Sequence, residues 1–97
     1  KPEVSIIVPA DGTTVIAPGT VAITVWTSEP EVRIKKVEFY HDGKKIGEDH
    51  VRKSGMFLPF AFIWADAPVG THNLTVKAID DNGSTTTSES VMVRVVP

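Results

Sequence analysis

The sequence predicts an all-β protein, a sandwich of two antiparallel sheets with seven or eight strands. Short segments alternate apolar and polar residues with the period of two that is typical of a half-buried strand. Turn-forming residues (Gly, Pro, Asp and Asn) separate these segments about every 8 to 12 positions. No segment has a helical period long enough to predict a helix, which leaves the sandwich as the favoured architecture.

Composition limits the classes of function. The 97 residues suffice for one domain with one core, and 41% hydrophobic with 23% charged residues excludes a disordered or fibrous chain. A net charge of −2 gives no reason to expect nucleic acid or an anionic membrane as a partner. No apolar run approaches the roughly 20 residues of a membrane span. The chain has no cysteine, so the sheets are expected to be held by packing alone, without a disulfide.

The strongest local signal is a hairpin over residues 36–51 with Asp42-Gly43 at its turn. A type I′ turn needs φ > 0 at both central residues, and Asp-Gly tolerates this. A two-residue turn there predicts three cross-strand pairs: His41 with Lys44, Phe39 with Ile46, and Lys36 with Asp49. An apolar pair on one face and an opposite-charge pair on the other would stabilise a half-buried ribbon.

Six further segments have the composition of strands: residues 4–8, 13–16, 20–26, 57–64, 71–79 and 86–95. Alternation predicts four inward-facing sets: Val21, Ile23 and Val25; Phe60, Phe62 and Trp64; Leu74, Val76 and Ala78; Val91, Val93 and Val95. Trp26 falls on the face opposite Val25, so we expect its side chain to point outward.

Four stretches, taken in order, form a recognisable set. They are Ile6-Ile7-Val8-Pro9-Ala10-Asp11-Gly12; Lys36-Val37-Glu38-Phe39-Tyr40 with Asp42-Gly43 and Ile46-Gly47; Phe60-Ala61-Phe62-Ile63-Trp64 with Pro68-Val69-Gly70; and Val76-Lys77-Ala78-Ile79-Asp80-Asp81-Asn82-Gly83. The set resembles bacterial immunoglobulin-like domains. That resemblance implies an Ig-like fold and a module of large secreted or surface proteins, often beside glycoside hydrolase or carbohydrate-binding domains. It implies spacing, presentation or adhesion rather than catalysis.

We therefore expect residues 1–97 to be a single Ig-like module excised from a larger exported protein, because the sequence has neither an initiator Met nor a signal segment. Its expected role is that of a non-catalytic accessory module that needs no cofactor. The expected partners are neighbouring domains of the same polypeptide, and we expect a monomer. No acidic pair has the apolar pocket that would raise a carboxyl pKa for catalysis.

An alternative role is glycan binding or adhesion, with polysaccharide as the partner. Trp26 is the candidate contact, because sugar C–H faces stack on aromatic rings, and Tyr40 or Phe57 would complete a small aromatic patch. An equally good interpretation is that Trp26 packs against a neighbouring domain. We assign Phe60, Phe62 and Trp64 to the core instead.

Two acidic loops fall at the same end of such a sandwich: one contains Glu29 and Glu31, the other Asp80 and Asp81. Together they could bind Ca²⁺, which takes six to eight oxygen ligands. The simpler interpretation is that these are turn residues with local backbone hydrogen bonds. We favour it because the loops contain no spaced ligand motif, and the segment 27–33 lacks the aspartates that the resembled family often has there.

The three histidines, His41, His50 and His72, do not have the close spacing of a metal-binding pair such as His-x-x-x-His. We interpret them as ordinary surface or rim histidines, with His72 on the same strand face as Leu74. The sequence therefore predicts no metal site.

Overall fold

The computed structural model describes residues 3–28, 34–50 and 60–97. These residues form nine β-strands and no helix. The strands are β1 (Val4–Val8), β2 (Thr13–Ile16), β3 (Gly19–Thr27), β4 (Ile34–His41), β5 (Lys44–His50), β6 (Phe60–Ala67), β7 (Gly70–Asp80), β8 (Thr85–Thr87) and β9 (Val91–Val96). The predicted all-β class is confirmed, with one strand more than the seven or eight expected.

Two sheets pack face to face and form the predicted sandwich. The first has the order β1-β3-β6, and the second has the order β2-β9-β7-β4-β5 with β8 beside β7. All described pairs are antiparallel except β2 with β9, which run in parallel. Just before β2, the Gly12 N–H donates to the Met92 carbonyl oxygen at 2.8 Å and brings the chain alongside β9.

The core lies between the sheets, and alternation predicted most of it correctly. The confirmed inward residues that are fully or almost fully buried are Val21, Ile23, Val25, Phe60, Leu74, Val76, Ala78, Val93 and Val95. Phe62 and Trp64 face the same way as Phe60 and pack against this core while partly exposed. Aromatic rings of β6 therefore fill one side of the sandwich interior, as the spacing predicted.

The predicted last strand, residues 86–95, is divided into β8 and β9. The two pair with different parts of the same edge of β7. Between them, Ser88 Oγ accepts a hydrogen bond from the Val76 N–H at 3.1 Å, and the Ser88 N–H donates to the Val76 carbonyl at 2.8 Å. Because Val76 keeps both backbone hydrogen bonds, the strand is interrupted without leaving a buried group unpaired. This interruption accounts for the ninth strand.

The β4–β5 turn has the predicted conformation. Asp42 and Gly43 have φ values of 49° and 83°, the positive values that a type I′ turn requires. His41 faces Lys44 across the turn, as expected. The hairpin therefore begins in the predicted register.

Further from the turn, that register is wrong by one residue. Phe39 faces Gly47 and Lys36 faces His50. The predicted pairs were Phe39 with Ile46 and Lys36 with Asp49. A register shift next to Phe39 gives β5 one extra residue, so every later partner is displaced by one position.

Candidate functional site

Trp26 lies on the outer face of the three-stranded sheet, as alternation along β3 predicted, and it is 48% exposed. Ile63 on β6 pairs with the outward-facing Ala22 of β3, Ile7 lies at the register shift of β1, and both isoleucines are more than half exposed. We call Ile7, Trp26 and Ile63 the Trp26 face. It is a set of three exposed apolar side chains of the three-stranded sheet.

Tyr40 lies on the other sheet. It alternates with the buried Phe39 on β4, so its ring is on the outer face of the six-stranded sheet. The aromatic patch of Trp26 with Tyr40 is therefore not formed, because the sandwich separates the two side chains; Phe57 lies outside the described residues. A ligand contact by Trp26 or by Tyr40 individually stays a prediction.

Tyr40 belongs to a hydrogen-bonded charged network on its own sheet. Its hydroxyl donates to Glu38 Oε1 at 2.7 Å, and Lys45 Nζ donates to Glu38 Oε2 at 3.1 Å. Lys36 Nζ lies 3.2 Å from the same Oε2 atom. The Tyr40 hydrogen bond and the two ammonium groups lower the pKa of Glu38 to about 2. The carboxylate is thus ionised at neutral pH, and side chains of β4 and β5 hold it in place.

The acidic loops considered for Ca²⁺ are described in part, because Glu29 and Glu31 lie outside the described residues. Asp80 is 6% exposed. Its Oδ1 accepts hydrogen bonds from the N–H groups of Asn82 and Ser84, both at 2.9 Å. For Asp80 this is the local turn bonding of the simpler interpretation.

The three histidines have different environments, and their interpretation as surface or rim residues is wrong for one of them. His50 is exposed, with Nε2 2.7 Å from Glu48 Oε2. His72 is 6% exposed, because it faces inward two residues before the buried Leu74. His41 is at the rim, at the end of β4, with 22% of its side chain exposed.

His41 and His72 meet Trp64 at one end of the sandwich. The ring centroids are 4.7 Å apart for His41 and Trp64, 5.1 Å for Trp64 and His72, and 5.0 Å for the two histidines. Asp42 lies beside both imidazoles. Its Oδ2 is 3.7 Å from His41 Nε2 and 3.6 Å from His72 Nδ1. We call His41, Asp42 and His72 the histidine–aspartate cluster.

The hairpin turn and the β4–β7 pairing hold this cluster together. His41 faces Leu74 across the two strands, which places His72 just beyond the end of β4. The Asp42 N–H donates to the Asn73 carbonyl at 2.8 Å, and the Asn73 N–H donates to Asp42 Oδ1 at 2.9 Å. The bond from Asn73 and the nearby histidines lower the pKa of Asp42. An ionised carboxylate is therefore fixed against two imidazoles.

Sequence reasoning missed this cluster, although part of the signal was present. Alternation already placed His72 on the inward face with Leu74, and the same period places His41 with Phe39. The missing step was the pairing of β4 with β7, which joins residues 31 positions apart. Ligand atoms of the three residues lie within 4.8 Å of one another. In the described part of the chain, this is the group of three His, Asp or Glu residues that are close enough to hold a metal ion.

The fold defines an Ig-like β-sandwich, and comparison with known families gives the same class. The chain belongs to the bacterial Ig domain family, whose model matches residues 2–76. A comparison with curated proteins found no match. In the described ranges, no helix has the length and apolar character needed to cross a membrane.

Solved structures with similar folds come from several bacteria. Fibronectin(III)-like modules of Clostridium thermocellum CbhA match with a TM-score of 0.81 and 26% identity, over 96% of this chain and 94% of that chain. An endo-β-1,4-mannanase from Thermotoga petrophila matches with a TM-score of 0.73 and 18% identity, over 99% of this chain and 20% of that one. The SGBP-B protein of a Bacteroides ovatus mixed-linkage glucan utilization locus, solved with a mixed-linkage heptasaccharide, matches with a TM-score of 0.66 and 18% identity, over 98% and 24%.

Proposed function

We propose that residues 1–97 form a single, non-catalytic accessory module of an exported bacterial multidomain protein, acting as a spacer between neighbouring domains or presenting them. The observation that carries the proposal is that this fold is a minor part of larger chains. It occupies 20% of the mannanase chain and 24% of the SGBP-B chain. Membership of the bacterial Ig domain family supports the same role, with secretion or surface attachment of the parent protein.

The positions of the first and last strands suit a spacer. Val4 pairs with Thr27 at the end of β3, whereas Val95 lies beside Gly19 at its start. A strand of nine residues separates these points by about 26 Å. The longest dimension of the molecule is 42 Å, so the start of β1 and the end of β9 lie towards opposite poles. A monomeric module of this kind can be joined in line with its neighbours.

The reading frame of the parent protein tests this proposal. We expect an export signal and at least one adjacent domain, and a frame with neither would overturn the spacer role. A second measurement tests the non-catalytic part. The isolated module is incubated with a panel of soluble and insoluble polysaccharides, and no release of reducing sugar is expected.

The exposed Trp26 face favours a second candidate function, contact with a polysaccharide. A half-exposed indole offers a stacking platform for a sugar ring, and Ile7 and Ile63 are further exposed apolar side chains of the same sheet. This candidate concerns Trp26 without Tyr40, because the two side chains lie on different sheets.

A Trp26→Ala variant separates the two functions. If the Trp26 face contacts glycan, the module is retained on a polysaccharide, and the variant loses retention while its unfolding temperature stays close to wild type, because the side chain is 48% exposed. Tyr40→Phe is the matched control on the other sheet and keeps retention. Absence of retention with every polysaccharide, with and without Ca²⁺, removes this candidate.

A further inference from the structure

We propose that the histidine–aspartate cluster is a binding site for a divalent transition-metal ion of the zinc class. The ligand atoms are His41 Nε2, Asp42 Oδ2 and His72 Nδ1. This site is independent of the proposed spacer function, because it rests on the geometry of one end of the sandwich.

The distances suit a small tetrahedral ion. Zinc bonds of about 2.0 to 2.2 Å to nitrogen and oxygen place neighbouring ligand atoms about 3.4 Å apart. Asp42 Oδ2 is 3.7 Å from His41 Nε2 and 3.6 Å from His72 Nδ1. These two separations are too long for direct hydrogen bonds and need only a few tenths of an ångström of closure around an ion. The ligand atoms of all three residues lie within 4.8 Å of one another, so the two imidazoles approach each other by at most about 1.4 Å to bind the same ion.

The buried side of His72 provides independent support. Its Nε2 lies 2.7 Å from the Pro68 carbonyl oxygen, an acceptor, so Nε2 carries the proton. In a neutral ring, Nδ1 then has a free lone pair. That atom is buried without a hydrogen-bond partner, in a residue that is 6% exposed, and it is directed at the Asp42 carboxylate. Two acceptors face each other there, and a cation between them would satisfy both.

The surroundings of His72 match those of metal-binding histidines, whereas the Nδ1 atom of His41 is buried without a hydrogen-bond partner. Such residues usually donate their other ring N–H to a carbonyl or carboxylate, which fixes the tautomer, and Pro68 supplies that carbonyl. The Asn73 N–H holds Asp42 Oδ1, which leaves Oδ2 for a ligand. Trp64 packs against both imidazoles and restricts their rotation.

The donor set selects the metal. Two imidazoles with one carboxylate suit zinc and its neighbours, whereas Ca²⁺ takes six to eight oxygen ligands. Three protein ligands leave a fourth position, and the 46% exposure of the Asp42 side chain gives solvent access to it. A bound ion would join the β4–β5 turn to the start of β7.

Zinc titration of chelator-treated module by calorimetry tests the site. We expect one ion per chain, a rise in unfolding temperature with zinc, and no effect of Ca²⁺. Co²⁺ provides a second readout, since it should give the visible bands of a four-coordinate ion. Co²⁺ should also quench Trp64 fluorescence, observed alone in a Trp26→Phe background because the chain has two tryptophans.

Two conservative variants remove ligands while keeping the fold. His41→Phe preserves the ring against Trp64, and Asp42→Asn preserves the turn and the Oδ1 acceptor. Each should weaken zinc binding by more than about tenfold. His50→Gln removes an exposed histidine outside the cluster and is the matched control, with unchanged binding. Unaltered affinity in both ligand variants would overturn the proposal, and so would the absence of saturable binding to the wild type.

The competing explanation is that His72 also has a proton on Nδ1, so that its ring lies between the Pro68 carbonyl and the Asp42 carboxylate as a donor to both. Nitrogen NMR of the metal-free module at neutral pH distinguishes the two. We expect the Nδ1 signal of His72 to shift when zinc is added, while Nε2 keeps the proton that it donates to the Pro68 carbonyl. A doubly protonated ring whose signals zinc leaves unchanged would overturn the proposal.

Discussion

Glu38 is an outward-facing residue of β4 that the structure nevertheless buries. It is 9% exposed, because Lys36, Tyr40 and Lys45 surround its carboxylate. The alternation of β4 predicts its direction but not its burial, which depends on Lys36 and Tyr40 of the same strand and on Lys45 of β5. The result is an ion-pair and hydrogen-bond network whose contribution to stability depends on pH.

A Glu38→Gln variant measures that contribution. Gln can still accept the Tyr40 hydrogen bond but loses the charge that attracts both lysines, so we expect the free energy of unfolding at pH 7 to fall by about 1 to 2 kcal/mol. The folded state lowers the pKa of Glu38 from 4.5 to about 2. Its stabilisation is therefore complete above pH 4.5 and is lost as the pH falls towards 2. Urea unfolding of both proteins from pH 7 to pH 2 should show the difference shrinking over this window. A constant difference would contradict the network.

At the scale of elements, Gly47 sets how closely the two sheets approach. A Cβ atom at this position would lie within 3.0 Å of three atoms of the Phe62 ring. That ring stacks on Phe39, the partner of Gly47 in the β4–β5 pairing, with centroids 5.4 Å apart. The missing side chain therefore lets an aromatic residue of β6 lie against β5.

A Gly47→Ala variant should lower the free energy of unfolding by about 1 to 3 kcal/mol, because the extra carbon overlaps a packed ring. Denaturant unfolding gives this value, and an exposed change on the same strand, Lys44→Ala, is the control with little effect. An unchanged stability of Gly47→Ala would mean that Phe62 can leave its position at no cost.

The sequence predicted the ends of those strands that are stopped by residues next to them in the chain. The first two strands have the predicted bounds, because Pro9 and Pro18, each close to a glycine, stop them. The division of the last strand was not predictable, because Ser88 interrupts it by bonding Val76 on another strand. The hairpin register was wrong because alternation alone does not predict the register shift next to Phe39.

In the candidate site, too, features that depend on one strand were predicted and features that depend on strand pairing were not. The outward direction of Trp26 follows from the alternation of one strand and is confirmed. The proximity of Trp26 to Tyr40 depended on which strands share a sheet, and that expectation was wrong. The histidine–aspartate cluster needed the pairing of β4 with β7 and the position of Trp64 across the interior. Alternation along a strand predicts which face of the sheet a residue is on, but not which residues of other strands lie beside it.

At the scale of the whole molecule, the first and last parts of the chain are joined. β2 and β9 form the single parallel pair among the described strands, and they lie next to each other at the edge of the second sheet. Two further backbone hydrogen bonds flank this pair: Gly12 N–H to Met92 O at 2.8 Å, and Ala17 N–H to Val96 O at 2.7 Å. Beginning and end of the chain thus stabilise each other directly.

This parallel pair has a mechanical consequence. When the two chain ends are pulled apart, β2 is drawn backwards and β9 forwards along the same axis, so their hydrogen bonds are loaded together in shear. In an antiparallel hairpin pulled at its open end, the bonds would break one at a time. In the proposed spacer role, the module would resist extension at this edge.

Single-molecule force spectroscopy tests this consequence. The unfolding force should be lower for Ala17→Pro, which removes the bond to Val96, than for Ser88→Ala, which weakens β7 outside the loaded pair. Equal forces for the two would place the resistance elsewhere, and the expected difference would make β2 and β9 the part of the module that carries tension.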